Sequence, residues 1–465
     1  MKNIGKVGQT ASVNKFRKEI KDYLEECDFL SHGYKLLAAA LLTIGMAACG
    51  DDDPVEPEPE PEPASTFKLH IGEGNIVRWG ELPDDYPPAY TAYLVMEDLP
   101  AGEKIHTIGG CYSIEDTVPD ISDCAYINLY DFSNSDTFLN WDWEAEPLIW
   151  ECINFLHPLP GTTYYLRGYV RTDKGEYYSN TVTIRSSFTE PLAENPDAYE
   201  IPVVFHLFPD AEGNYPVKDW MIEEQLDYAN HVYGNYYNVP GQAETGVRFV
   251  AATHTPDGTP LETPGIVHET EAVELDYQNP QIDGQYIWDM EHALNVWVCS
   301  LKDWNVSGSS LLPYFDADEL LEGCTTYEPG IETGIFLNSN VIPLANNVHS
   351  FAHEAGHFLG LDHVFAEQGD YCDDTRWYDY EAYQEYTQGA IDFIRMDGTT
   401  GEFFLSDNVM DYDYSFLTGF TPDQVERIQY TLEHAYFIPG EAGKEESTAL
   451  RSAPQTRKFG KNPIR

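Results

Sequence analysis

An antiparallel all-β sandwich followed by an α/β (α+β) domain is the architecture this sequence predicts. Three observations point to it. Residues 66–190 carry strand and turn signals without a long amphipathic helix, residues 195–440 combine apolar strand runs with helical periodicity, and composition divides the two at Glu194-Asn195-Pro196-Asp197. A chain of 465 residues exceeds the usual range of a single domain.

The first 65 residues stand apart. Leu36 to Ala48 is an apolar run behind Lys35, too short to cross a bilayer as a stable helix and of the length of a signal-peptide core. It ends Met46-Ala47-Ala48-Cys49-Gly50, and small residues before a cysteine resemble the bacterial lipobox, where cleavage leaves Cys49 as a lipid-bearing N-terminus. Residues 1–48 are therefore read as an N-terminal extension with a lipoprotein signal peptide, and 49–65 as a tether. Within the tether, Asp51 to Pro63 is rich in proline, which favours extended chain, and in carboxylates, which repel one another. An acidic run directly after the lipidated cysteine resembles the surface-export signal of Bacteroidetes lipoproteins, which implies an outer-membrane protein at the cell surface. The formal net charge of −53 argues against nucleic acid as a partner and against electrostatic attachment to anionic lipid, leaving the acyl chains as the membrane anchor.

In residues 66–190, Tyr164 to Arg171 alternates, and Asp173-Lys174-Gly175 offers a hairpin turn into Tyr177-Tyr178. Pro160-Gly161-Thr162-Thr163-Tyr164 is similar to the tyrosine-corner region of fibronectin type III domains, although Pro158 stands where that family usually has leucine. The resemblance implies a fibronectin type III-like or Ig-like sandwich. No catalytic constellation falls in it, so a spacer or a binding surface is expected.

In residues 195–440, Ile201–Leu207 reads as a buried strand. Asp219–Tyr236 reads as a helix with Asp219 as N-cap and Ile222, Leu226, Ala229, Val232 and Tyr236 near one face. Gly308–Tyr314 is a candidate edge strand along which an extended peptide could add. A further helix is expected to begin near Asn346 or Asn347. Thr421-Pro422-Asp423-Gln424 reads as a capping box with proline in the first turn, opening a last helix to about Ala435. Residues 441–465 lack a core pattern and are expected to be a flexible tail.

The chemistry concentrates in His353-Glu354-Ala355-Gly356-His357-Phe358-Leu359-Gly360-Leu361-Asp362-His363, which reads HExxHxxGxxH. A helix turns about 100° per residue, so His353 and His357 project from one face and can reach one metal ion. Glu354 sits beside them but is not aimed at the same point. Gly360 can adopt the positive φ that ends the helix and lets His363 arrive from another direction. Three neutral nitrogens leave a fourth tetrahedral position open for water. His349 lies one turn before His353 and is read as a surface or supporting residue, because a third ligand from one straight helix gives poor tetrahedral angles.

This extended motif resembles that of the metzincin clan, whose members carry a methionine turn downstream, and Asn408-Val409-Met410-Asp411-Tyr412 stands at a suitable distance. With Gly369-Asp370-Tyr371-Cys372-Asp373-Asp374-Thr375, and with Ile201 to His206 and Leu294 to Cys299 as strands, the chain is similar to the pappalysin family over roughly residues 195–440. The resemblance implies a twisted mixed sheet over two long helices, one of them the active-site helix, and a zinc-dependent endopeptidase acting on extracellular proteins or peptides. His353, His357 and His363 would bind zinc, Glu354 would be the base, Met410 would form the apolar floor and Tyr412 would lie near the scissile carbonyl. A phenol there can donate a hydrogen bond to a developing oxyanion. Calcium is a further expectation, since related enzymes carry it and the loop Asp370–Asp379 is rich in carboxylates.

The family usually places a cysteine soon after the methionine turn, where this chain has Tyr414-Ser415-Phe416, which leaves the pairing of Cys372 open. Of eight cysteines, Cys27 would be lost with the signal and Cys49 lipidated, and the other six divide three and three between the domains. Odd counts forbid complete pairing within each. The competing function is a cell-surface binding lipoprotein with a catalytically silent zinc site, which the retention of Glu354 disfavours. A zinc hydrolase of another class, such as an amidase, is disfavoured by the methionine turn.

Overall fold

The computed structural model describes residues 67–72, 76–78, 90–100, 102–132, 147–155, 158–186, 195–276, 280–302, 306–329, 331–344, 347–366, 369–387, 393–412, 415–440 and 458–459. The signal peptide, the tether, Cys27, Cys49 and nearly all of the expected tail lie outside them. The chain divides into two compact units, one of residues 1–65 with 379–391 and the other of 66–378 with 392–465. In the first, the described residues form helix α3 (Tyr380–Thr387). Everything below concerns the second.

Its N-terminal part holds a four-stranded sheet, in which Tyr90–Glu97 pairs with Lys68–His70, Ile76–Arg78 and Leu148–Phe155, and a five-stranded sheet centred on Ile105–Ser113 and Thr163–Thr172. All pairings in both are antiparallel. The sheets approach closely where glycine removes a side chain. A Cβ on Gly110 would meet Ile153 Cγ1 at 2.0 Å, and one on Gly168 would meet Leu94 Cδ1 at 2.7 Å. The turn at Asp173-Lys174-Gly175 forms, with Thr172 N donating to Gly175 O at 2.8 Å. Among the described residues all six cysteines are free thiols.

The C-terminal part is built on parallel strands. Val247–Ala251, Tyr199–Leu207, Leu294–Leu301 and Ile335–Asn338 lie side by side and parallel, and Gly308–Ser310 closes the order as an antiparallel edge. Parallel strands covered on both faces read as continuous apolar runs, and Val296 to Cys299 are fully buried accordingly. Pro202 is tolerated inside its strand because it pairs with Val250 one residue before the second neighbour begins at Val203–Leu294.

Helix α1 (Asp219–Tyr233) starts where the periodicity places it but is not capped by Asp219. Lys218 takes the cap position, with no side-chain bond. The Asp219 carboxylate instead accepts from Thr263 Oγ1 at 3.0 Å and pairs with His268 Nε2 at 2.8 Å. The helix also stops three residues before Tyr236, because Gly234 caps it and Asn235 turns to a φ of 51°. Helix α2 (Ser350–Phe358) is buried throughout. Helix α4 (Pro422–His434) has the complete capping box, Thr421 with Gln424. The expected edge strand Gly308–Tyr314 pairs with the sheet only as far as Ser310, and Tyr314 pairs instead with Thr325.

Candidate metal centre

Helix α2 carries His353, Glu354 and His357, and all three are buried. It ends at Leu359, after which Gly360 takes a φ of +91° and the chain doubles back to bring in His363. A side chain could not replace that glycine without cost, since its Cβ would stand 2.5 Å from Thr431 Oγ1 on α4. Arg427, also on α4, donates to Gly360 O through Nη2 at 2.8 Å and Nε at 3.2 Å. A cation thus satisfies the open carbonyl end of α2 and pins the turn that delivers His363.

The three imidazoles converge. His363 Nε2 lies 3.2 Å from His353 Nε2 and 3.1 Å from His357 Nε2. Two nitrogens bound at about 2.0 Å to one tetrahedral ion stand about 3.3 Å apart, so the donor set fits zinc. The tautomers fit as well. His353 Nδ1 donates to Val409 O and His357 Nδ1 to Leu361 O, each at 2.8 Å. A carbonyl can only accept, so the proton sits on Nδ1 and the Nε2 lone pair points to the cluster. Burial, and then the neighbouring imidazoles, hold His357 and His363 well below the usual histidine range, which keeps them neutral ligands at neutral pH. His349 stands at the N-cap of α2, outside this group.

Glu354 shares the helix but faces the edge strand. A Cβ on Gly308 would lie 2.7 Å from Glu354 Cγ and 2.8 Å from Oε1, so only glycine at 308 leaves room for the carboxyl. Its Oε2 has no protein partner among the described residues, and burial pushes the group up to about 8. A buried, unpaired carboxyl beside three convergent imidazoles marks a candidate functional site.

Met410 is fully buried beneath α2, and its Sδ fills the space where a Cβ on Gly356 would stand, 2.3 Å away. The turn around it is fixed on both sides. Asn408 Oδ1 accepts from Met410 N at 2.9 Å and exchanges amide bonds with Gln424, the residue that also completes the α4 cap. Asp411 receives Tyr378 Oη at 2.5 Å and the Ser406 hydroxyl, and forms a buried ion pair with Arg395 at 3.3 Å. The Tyr412 ring packs 4.7 Å from His363 and 6.1 Å from His353.

Residues 276–433, which include every group named above from Gly308 to Arg427, match the peptidase M43 family, described as pregnancy-associated plasma protein-A. The match supports a metalloprotease domain of the metzincin type in that stretch. The family implies zinc. Over 118 residues the chain is 33% identical to an extracellular metalloprotease of Arthroderma gypseum, a match covering 21% of this chain and 36% of that protein. The chain therefore spans about a third of the curated relative it matches. Tannerella forsythia mature mirolysin in complex with a cleaved peptide is 20% identical, with a TM-score of 0.36 over 51% of this chain and 93% of its own. A promirolysin variant of the same organism is 20% identical, with a TM-score of 0.37 over 51% and 82%.

Spacing singled out the three histidines and Glu354, and the family resemblance added the methionine turn. It missed Gln225, Arg427, Asp411 and Gly308, whose parts depend on partners far away in the chain. A glycine opposite a motif glutamate leaves no local signal. The burial of Arg427 on α4 likewise has no local mark in the sequence.

Proposed function

We propose that this protein is a zinc endopeptidase of the pappalysin type that cleaves extracellular proteins or peptides. The observation that carries the reading is the Glu354 carboxyl, buried and unpartnered beside three imidazoles whose lone pairs converge. Zinc held by His353, His357 and His363 would supply Lewis-acid activation of the carbonyl and of water. Glu354 would take the proton of the attacking water and return it to the leaving amine. Tyr412, packed on His363, donates its hydroxyl to the oxyanion. Met410 forms the apolar floor that keeps α2 at its height. The edge strand Gly308–Ser310 offers unpaired backbone groups on its outer side for an extended peptide, antiparallel or parallel, beside Glu354.

Three further parts of the reading rest on sequence and local chemistry. The N-terminal sheets form a fibronectin type III-like sandwich, and Cys49 carries the lipid that places the enzyme on the outer membrane, facing outward. Asp370 is a candidate calcium ligand, because its Oδ2 is buried without a partner and burial pushes the carboxyl up to about 6.

Glu354→Gln tests the catalytic assignment against the binding-lipoprotein alternative. The variant keeps side-chain size and all three histidines, so it should hold near-stoichiometric zinc while cleavage falls by about 10²–10⁴-fold. Peptide hydrolysis and bound metal, measured on matched samples, decide it. Equal cleavage by variant and wild type, or none by zinc-loaded wild type across a broad peptide library, would defeat the peptidase reading.

A further inference from the structure

Helix α1 is the element on which the metal site hangs. Gln225 Nε2 donates to Asn347 O at 2.6 Å, and its Oε1 accepts from Phe351 N at 2.9 Å, so one side chain clasps the start of α2. Tyr233 Oη donates to Ala352 O at 3.1 Å, directly before His353. Tyr228 Oη donates to Leu417 O at 2.6 Å, behind the methionine turn.

The residue before Gln225 points elsewhere. Glu224 is buried against the N-terminal sheets, where Tyr112 Oη donates to its Oε2 at 3.0 Å. Tyr164, the tyrosine of the corner sequence, accepts Leu159 N at 2.8 Å and so keeps its own proton for Glu224, with which it also hydrogen-bonds. The Tyr112 ring packs edge-on to Trp220, 5.9 Å away, and Lys218 pairs with Asp123 at 2.9 Å at the rim. Two adjacent residues on one helix therefore face two different masters, the sheets through Glu224 and the metal helix through Gln225.

We infer that the N-terminal sandwich is a positioning element of the metal site: Tyr112 and Tyr164 set the rotation and height of α1 at Glu224, and Gln225 passes that setting to α2. Consecutive helical residues are separated by about 100° and 1.5 Å, so a slip at 224 is a slip at 225. Bonds of 2.6 and 2.9 Å do not survive a displacement of about 1 Å, and a misplacement of that size can lower a rate by up to about a hundredfold. The sandwich is thus more than a spacer, and the catalytic consequence rests on the peptidase reading above.

The cluster is also titratable. Burial pushes Glu224 up to about 7 from an ordinary 4.5, with Asp227 on the same helix pushing the same way and the phenols of Tyr112 and Tyr164 opposing. Cys124 flanks Tyr112, and Tyr237 flanks Tyr164. A carboxyl with a raised folded value favours the docked state below 4.5, and that advantage is lost as pH climbs to 7.

The test uses the full chain with Tyr112→Phe and Tyr164→Phe combined, which keeps both rings and removes both hydroxyls, and with Glu224→Gln, which keeps a hydrogen-bonding group and removes the charge. Backbone hydrogen exchange over residues 350–358, zinc content, and kcat and KM on one peptide are measured. The phenylalanine pair should speed exchange in α2 and lower kcat, each by on the order of tenfold or more, with KM little changed. For Glu224→Gln the readout is stability: the unfolding midpoint of the wild type should fall relative to it between pH 4.5 and 7. Unchanged exchange at 350–358 in the phenylalanine pair, or an equal rise in every strand of the chain, would overturn the inference. If the wild type cleaves no peptide, the peptidase reading fails while the exchange data still decide the positioning.

Discussion

Gly356 and Met410 meet more tightly than any other pair beneath the metal site, and the contact works because one of them has no side chain. The space of a Cβ on Gly356 is already taken by Met410 Sδ at 2.3 Å and Cε at 3.2 Å. Both residues are buried, so neither can swing into solvent. Gly356→Ala should therefore push the methionine aside or lift α2, costing about 1–3 kcal/mol as overpacking. It should also weaken zinc retention, because His353 and His357 ride on the same turns of helix. Urea denaturation and a zinc titration measure the two effects. An alanine variant with wild-type midpoint and wild-type zinc affinity would show that Met410 yields freely and is no floor at all.

At the scale of elements, the methionine turn is held by a charge that has no contact with the metal. Asp411 and Arg395 are both about 1% exposed, and Tyr378 and Ser406 complete the carboxylate's shell. Asp411→Asn leaves the Arg395 charge without its counter-ion in the interior, a loss of about 3–5 kcal/mol by the usual cost of breaking a buried pair. The denaturation midpoint should drop accordingly, and a change below about 1 kcal/mol would mean that Arg395 is satisfied elsewhere. Such ties explain what could be read in the sequence and what could not. Helix α4 announced itself because its cap, proline and apolar stripe are all local, and the zinc motif did so because its ligands lie within eleven residues, His353 to His363. Asp219 looked like a cap for the same local reasons, yet Thr263 and His268 compete for its carboxylate and win. Gln225 and Arg427 reach α2 across 126 and 67 residues, distances over which no periodicity carries information. The edge strand ran short because Leu311-Leu312-Pro313 follows Ser310, and proline has no N–H to continue the ladder.

For the whole molecule, the proposed location rests on Cys49, which lies outside the described residues. No described helix is long and apolar enough to cross a membrane. Cys49→Ala should move the protein from the membrane fraction to the soluble one, because stable attachment needs acyl chains and a chain of net charge −53 gains nothing from anionic headgroups. Fractionation with labelled fatty acid reads both outcomes, and undiminished membrane retention of the variant would sink the lipoprotein reading. The same molecule holds a second kind of fate in the edge strand above Glu354. A side chain at position 308 would stand in the room now taken by that carboxyl. On the proposed reading, one codon thus decides whether Glu354 keeps its place beside the three imidazoles, and with it whether a bound peptide is cut or only held.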